Sequence, residues 1–197
     1  MLCKRFWLTV GLAFAAWQLT VLPVAAQTAP TPTPTAPSAL PAVTTIAALD
    51  VTRYMGTWYE IAKFPNRFQA KCVANTRAHY VAQTDGSVQV LNSCTTTDGS
   101  ATEALGKARQ VGPSTSPKLQ VRFAPAWLSW LPMVWGDYWV IDLDADYQLA
   151  AVSDAKREYL WVLSRTPQVN PKAYDALVTR LQAQHFDVQK LDRTPQR

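Results

Sequence analysis

Between Gly56 and Ser164 the chain alternates apolar and polar residues in short runs broken by Gly, Pro, Asp and Asn. Period-two alternation marks strands with one buried face, and it predicts eight, over 57–64, 73–82, 87–94, 103–110, 118–123, 137–143, 148–153 and 158–164. The connections are too short for crossover helices, so neighbours should pair antiparallel. Asp85-Gly86, between the second and third strands, is a hairpin signal. After the eighth strand the period changes. Asn170 can cap a helix with Pro171 in its first turn, and Tyr174, Leu177, Val178 and Leu181 fall at helical spacing to about Gln184. A last run, Phe186-Asp187-Val188-Gln189, reads as an edge strand. Eight antiparallel strands and one amphipathic helix predict an all-β fold, an up-and-down barrel with the helix packed outside. A barrel of that size can enclose one small ligand.

Upstream the pattern differs. Lys4-Arg5 precede an uncharged run from Phe6 to Ala26 that ends in Pro23 and the small residues Val24-Ala25-Ala26. This reads as a secretory signal cleaved after Ala26. The run is long enough to span a bilayer as an uncleaved anchor, but its small-residue ending favours cleavage. A lipoprotein is not expected, because Cys3 lies before the apolar run rather than just after it. Residues 27–45 hold five prolines among Ala, Thr and Ser and little that could build a core, so they read as a disordered tether. The folded domain is expected over 46–195, in a protein exported to the periplasm or secreted.

Net charge is +5 for the whole chain and +3 once Lys4 and Arg5 are set aside. The basic residues are scattered along the sequence without interleaved aromatics, so the footprint of a nucleic-acid binder is missing. Cys72 and Cys94 form an even pair, which in an exported protein reads as a disulfide. No CxxC occurs and only His79 and His185 are available, so no metal site is expected, and no cofactor. The bond would join the start of the second strand to the end of the third at the mouth. A tight Asp85-Gly86 turn would instead pair Cys94 with Arg77, so the bond needs a bulge or a late strand start to absorb the offset.

Three motifs, in order, carry a resemblance. They are Gly56-Thr57-Trp58-Tyr59-Glu60-Ile61-Ala62, then Asp144-Ala145-Asp146-Tyr147, then Ser164-Arg165-Thr166-Pro167. An early strand supplies a tryptophan face and a late strand ends in arginine, and a guanidinium over an indole is a favourable cation–π pair. From about Leu49 to Leu191 the chain resembles the lipocalins, in the branch of the bacterial lipocalins and apolipoprotein D. The resemblance implies that Gly56, Trp58, Asp144, Tyr147 and Arg165 are structural and gather at the closed end of the barrel. The family's usual threonine before the acidic residue is replaced by Leu143.

The remaining connections, 65–71, 95–102, 124–136 and 154–157, then lie at the open mouth. The third carries Trp127, Trp130 and Trp135 and no charge. Exposed apolar patches mark contact surfaces, and Trp favours the membrane–water interface, so the loop is read either as a transient membrane contact or as a cap folded over the cavity. If Trp58 points inward, alternation puts Glu60, Ala62 and Phe64 on the same inner face. An inward Glu60 is a ligand anchor or a carboxylate satisfied within the protein, and buried charges favour the second. Tyr138, on the sixth strand, joins the candidates lining the cavity. On the second strand Asn75, Arg77 and His79 share one face and Ala74, Thr76, Ala78 and Tyr80 the other, with the inner face open. A lone strand histidine reads as a surface or hydrogen-bonded residue before a haem ligand.

The expected function is a carrier or store for a small hydrophobic ligand, a fatty acid, lysophospholipid or similar lipid. The resemblance alone implies a role in membrane maintenance or stress. The alternatives are a lipocalin-like enzyme acting on a lipophilic substrate and a pigment or tetrapyrrole binder. Against catalysis, the sequence has no Gly-x-Ser-x-Gly elbow and no metal-ligand cluster.

Overall fold

Each alternating run forms a strand whose ends lie within two residues of those predicted. The computed structural model describes residues 40–197; the expected signal peptide (1–26) and residues 27–39 of the expected tether lie outside the described residues. The strands are β1 (Gly56–Lys63), β2 (Cys72–Ala82), β3 (Val88–Thr96), β4 (Ala101–Gln110), β5 (Lys118–Arg122), β6 (Gly136–Leu143), β7 (Leu149–Ser153), β8 (Leu160–Ser164) and β9 (Asp192–Arg193). They pair in the order β2-β3-β4-β5-β6-β7-β8-β1-β9, and β1 also pairs with β2, which closes an antiparallel barrel of eight strands with β9 added. Among the described residues there are two α-helices, α1 (Val51–Tyr54) and α2 (Pro171–Ala183). The short α1 has too few residues for a periodic signal; the Asp50 carboxylate caps it by accepting from the Arg53 amide.

Apolar side chains sort into two clusters on opposite faces of the sheet. Inside the barrel lie Trp58, Ala78, Tyr80, Val88, Val90, Ala108, Leu119, Val140, Ala150, Val152 and Leu163, with Tyr54 from α1. Outside, α2 lays Leu177 and Leu181, both fully buried, against Ile61, Ala151, Leu160 and Val162. Burying each leucine contributes about 2 kcal/mol. Asn170 caps α2 by accepting from the Lys172 and Ala173 amides, and Arg180 grips Asp142 of β6 through two contacts of 2.7 and 2.9 Å. The ordered packing begins ahead of residue 46: Val43, within the stretch read as tether, is buried in the outer cluster.

Three expectations need correction or refinement. The edge strand is not 186–189. His185 takes a left-handed conformation (φ 66) that ends α2, which turns Phe186 in to be buried among the outer apolar residues. Val188–Lys190 then forms a 3-10 turn, and the edge strand falls at Asp192–Arg193, paired with Ala62 and Lys63. Ala62 and Phe64 do not face inward. Register shifts between Glu60 and Ala62, and this bulge inverts the alternation, so both side chains belong to the outer cluster while Glu60 keeps the inner parity of its partner Leu163. Finally, the β2–β3 hairpin is wider than an Asp85-Gly86 two-residue turn, with Ala82 opposite Val88.

Cys72 and Cys94 are bonded, with Cα atoms 5.7 Å apart. Two register shifts in β2, between Cys72 and Ala74 and between Ala74 and Arg77, absorb the offset. The bond closes a loop of sequence separation 22, for which the loss of unfolded-state entropy stabilises by about 3 kcal/mol. A C72A/C94A variant is expected to lose about that much in urea denaturation, and recovery of two free thiols from freshly exported wild-type protein would contradict the assignment.

Candidate functional site

The two ends of the barrel differ in chemistry. At the closed end the Arg165 guanidinium lies 4.1 Å from the Trp58 ring centroid. It donates to three backbone carbonyls, from Nη1 to Thr57 (3.1 Å), Nη2 to Arg53 (2.7 Å) and Nε to Tyr147 (3.2 Å). Burial lowers its pKa from the ordinary arginine value. The middle motif sets up the third acceptor. Asp144 Oδ1 accepts from the Gln148 and Leu149 amides (2.6 and 2.7 Å), and this turn holds Tyr147 at φ 59 with its carbonyl toward Arg165. The Tyr147 ring packs under Arg53 at 4.0 Å. Gly56 is needed on two counts. Its φ is +93, and an added Cβ would stand 3.3 Å from Arg165 Nη1. Trp58 Nε1 donates to the Tyr54 carbonyl (2.8 Å). The five motif residues therefore form one structural seal.

Above the seal three phenols meet. Tyr138 Oη lies 2.9 Å from both Tyr54 Oη and Tyr80 Oη. Burial pushes the Tyr80 phenol up to about 12 and raises Tyr54 and Tyr138 further, because a phenolate there would lose its water. Tyr138 was among the cavity candidates named from the sequence. Tyr54 and Tyr80 were not: one sits in a helical turn too short to read, the other on a strand whose inner face the sequence left open.

The inner face changes in character toward the mouth. β2 turns Ala74, Thr76, Ala78 and Tyr80 inward; His79 and Arg77 face out, and His79 Nδ1 shares a hydrogen bond with the Thr57 hydroxyl (2.9 Å). Asn92 pairs with inward Ala78, and Ala104 pairs with Asn92, so alternation places both on the inner wall. Ala104 and Thr102 are nonetheless exposed: the cup is open to solvent down to that level, and its wall there is built from small side chains. Val121, Tyr138 and Trp161 pack at the edge of the inner cluster.

Glu60 is 2 % exposed and fully engaged within the protein. Oε1 accepts from the Thr194 hydroxyl (2.6 Å) and lies 3.3 Å from Lys63 Nζ, and Oε2 accepts from the Gln69 amide (2.5 Å). Gln69 in turn accepts from Trp161 Nε1 (2.9 Å). The chain beyond α2 thus fills the seam where β1 and β2 part. The Asn75 amide donates to the Pro195 carbonyl, and the Gln196 side chain donates to the carbonyls of Glu60 and Thr76.

The tryptophan loop leaves two of its three indoles uncovered. Trp127, Trp130 and Met133 are 73 %, 75 % and 85 % exposed. Trp135 turns back onto the outer wall, its Nε1 donating to the Ser129 carbonyl and its ring between Arg109 and Arg122. Two grooves of about 500 and about 380 Å³ mark the surface. Both lie outside the barrel, the first along Lys107, Arg122 and Phe123–Ala126 and the second beside Pro167–Val169 and Arg193–Gln196. Among the described residues no three His, Cys, Asp or Glu side chains converge.

Comparison with known proteins matches residues 49–196 to the model of the lipocalin-like domain. The temperature-induced lipocalin-1 of Arabidopsis thaliana is 44 % identical over 153 residues, which cover 77 % of this chain and 81 % of the plant protein. The outer membrane lipoprotein Blc of Escherichia coli K12 is 36 % identical over 149 residues, covering 75 % and 80 %. Mouse apolipoprotein D is 29 % identical over 154 residues, covering 75 % and 77 %. Among solved structures, insecticyanin from the tobacco hornworm Manduca sexta superposes with a TM-score of 0.59 at 19 % identity, covering 81 % of this chain and 87 % of that one. At that identity the likeness concerns the fold.

The geometry of the seal sets two expectations. Gly56→Ala should cost about 1–3 kcal/mol in urea denaturation, and more than Gly99→Ala, since Gly99 has φ +83 but open space around its Cβ; equal losses would mean that the contact with Arg165 adds nothing. The phenol cluster predicts alkaline sensitivity. A pKa raised on folding stabilises below the unfolded value of 10.0 and is lost as pH rises through about 12. Unfolding free energy should be flat up to about pH 10 and fall above it, with the phenolate absorbance of Tyr54, Tyr80 and Tyr138 appearing only as the barrel opens.

Proposed function

The chain belongs to the lipocalin-like family, whose barrels bind small hydrophobic ligands, and we propose that it is an exported carrier or store for a lipid such as a fatty acid or lysophospholipid. The observation that supports this reading is the asymmetry of the barrel. One end is sealed by Arg165 on Trp58, and the other is a cup with small inner-wall side chains and exposed Thr102 and Ala104. An acyl chain entering such a cup leaves water along its length and gains roughly 0.8 kcal/mol per buried methylene, so chain length sets affinity and polar inner-wall groups such as Asn92 and Tyr138 set orientation.

The exposed Trp127, Trp130 and Met133 beside the mouth support pick-up and delivery at a membrane surface, where indoles favour the boundary between headgroups and acyl chains. Export is supported by the apolar segment ending at Ala26 and by the likeness to a bacterial outer membrane lipoprotein. Unlike an anchored lipoprotein, this chain has no cysteine just after its apolar run, so its membrane contact would be transient.

Native mass spectrometry of gently purified exported protein, followed by denaturing extraction, should release a stoichiometric lipid. Delipidated protein titrated with a homologous series of saturated fatty acids should tighten about fourfold per added methylene until the cup is full. A barrel that stays empty when offered fatty acids and lysolipids, or a series with no dependence on chain length, would overturn the carrier reading.

A further inference from the structure

We propose that the outer wall of the barrel beside the tryptophan loop is a second binding site, for the phosphate of an anionic membrane phospholipid, centred on Arg122. This rests on the membrane-contact reading above and adds a headgroup to it. Arg122 is 6 % exposed. Its Nε has no hydrogen-bond partner among the described residues, and Nη1 donates to the Ala124 carbonyl. The four ion pairs among the described residues all use other cations. A second guanidinium, Arg109, sits 4.1 Å from the centroid of the Trp135 ring, which Arg122 approaches at 5.3 Å; Arg109 donates to the Gln120 side chain rather than to a carboxylate. Directly opposite Arg122 in register is Lys107, held 2.7 Å from Asp85.

Burying a cation is costly unless an anion and hydrogen bonds compensate it. Here two arginines lie against one indole, no acid is paired with either among the described residues, and the buried one keeps an unpartnered donor while lining a groove of about 500 Å³. A phosphodiester suits this vacancy, because the guanidinium fork binds its oxygens bidentately. The loop that roofs the groove selects a lipid over a free phosphate. It runs from Ala124 beside Arg122 to the exposed Trp127, Trp130 and Met133, so side chains suited to the acyl boundary and a cation suited to the phosphate level belong to one continuous surface.

The test is co-sedimentation with vesicles of phosphatidylcholine alone and of phosphatidylcholine with phosphatidylglycerol. Wild-type protein should bind the phosphatidylglycerol vesicles at least about fivefold more tightly, about 1 kcal/mol in all. Arg122→Gln should remove that preference while leaving binding to phosphatidylcholine unchanged, and Trp127→Ser with Trp130→Ser should weaken both. Because Arg122 is buried, the exposed Arg109→Gln provides a second arm that also lowers the preference if Arg122→Gln fails to fold. Wild-type binding with no preference for phosphatidylglycerol, or a preference that survives both arginine variants, overturns the phosphate site alone. No binding to either vesicle overturns the membrane contact itself. Thermal stabilisation of wild-type protein by soluble glycerophosphoglycerol, with no vesicle preference, would assign the site to a free anion and overturn the lipid.

Discussion

Everything in the barrel hangs on one partly desolvated cation. Arg165, half-buried, lies on the Trp58 ring, and among the described residues no carboxylate pairs with it: three backbone carbonyls, from α1, β1 and the β6–β7 turn, take its donors. Carbonyl dipoles and an indole face replace the lost hydration, and in return the guanidinium fastens together three segments that are far apart in sequence. The requirements for glycine at 56, for a left-handed Tyr147 and for an acid at 144 all follow from giving that cation its acceptors. With the closed end fixed in this way, the phenols of Tyr54, Tyr80 and Tyr138 can be stacked above it with their hydroxyls satisfied by one another.

The bulge at Glu60 decides what the walls of the mouth are made of. Without it, Ala62 and Phe64 would face the ligand space; with it they pack under α2, and Glu60 and Lys63 keep the inner side of β1. The charged pair is then covered by Gln69 and Thr194, so the mouth end of β1 is tied to the far end of the chain by polar bonds, while the middle of the barrel is held by apolar packing. Rigid polar joints around an accommodating apolar interior suit a vessel that must keep its shape while its contents change.

Much of this was written in the sequence. Period-two runs gave strand positions, and three short motifs gave the seal, because both are local patterns whose spacing survives in one dimension. Faces were harder. One extra residue at the Glu60–Ala62 bulge inverts a prediction that rests on counting by twos, and nothing in Gly56–Lys63 announces where the count slips. The cluster of Arg109, Arg122 and Trp135 was invisible for a different reason: its members come from two strands and the loop that leads into β6, and a search along the chain for basic residues next to aromatics passes over groups that only the fold brings side by side. The edge strand was misplaced because Phe186 and Val188 look like strand residues, but His185 had already turned the chain so that Phe186 closes the underside of the helix.

The seam between β1 and β2 has a consequence for how the molecule is made. Glu60 receives its hydroxyl partner from Thr194, 134 residues later. A chain that emerges amino end first therefore cannot complete its wall until almost all of the domain is available. Until then the early strands carry an unmatched edge and a carboxylate without its partners, a state poorly suited to folding prematurely. On the export proposed above, such late closure would keep the polypeptide threadable for as long as transport lasts.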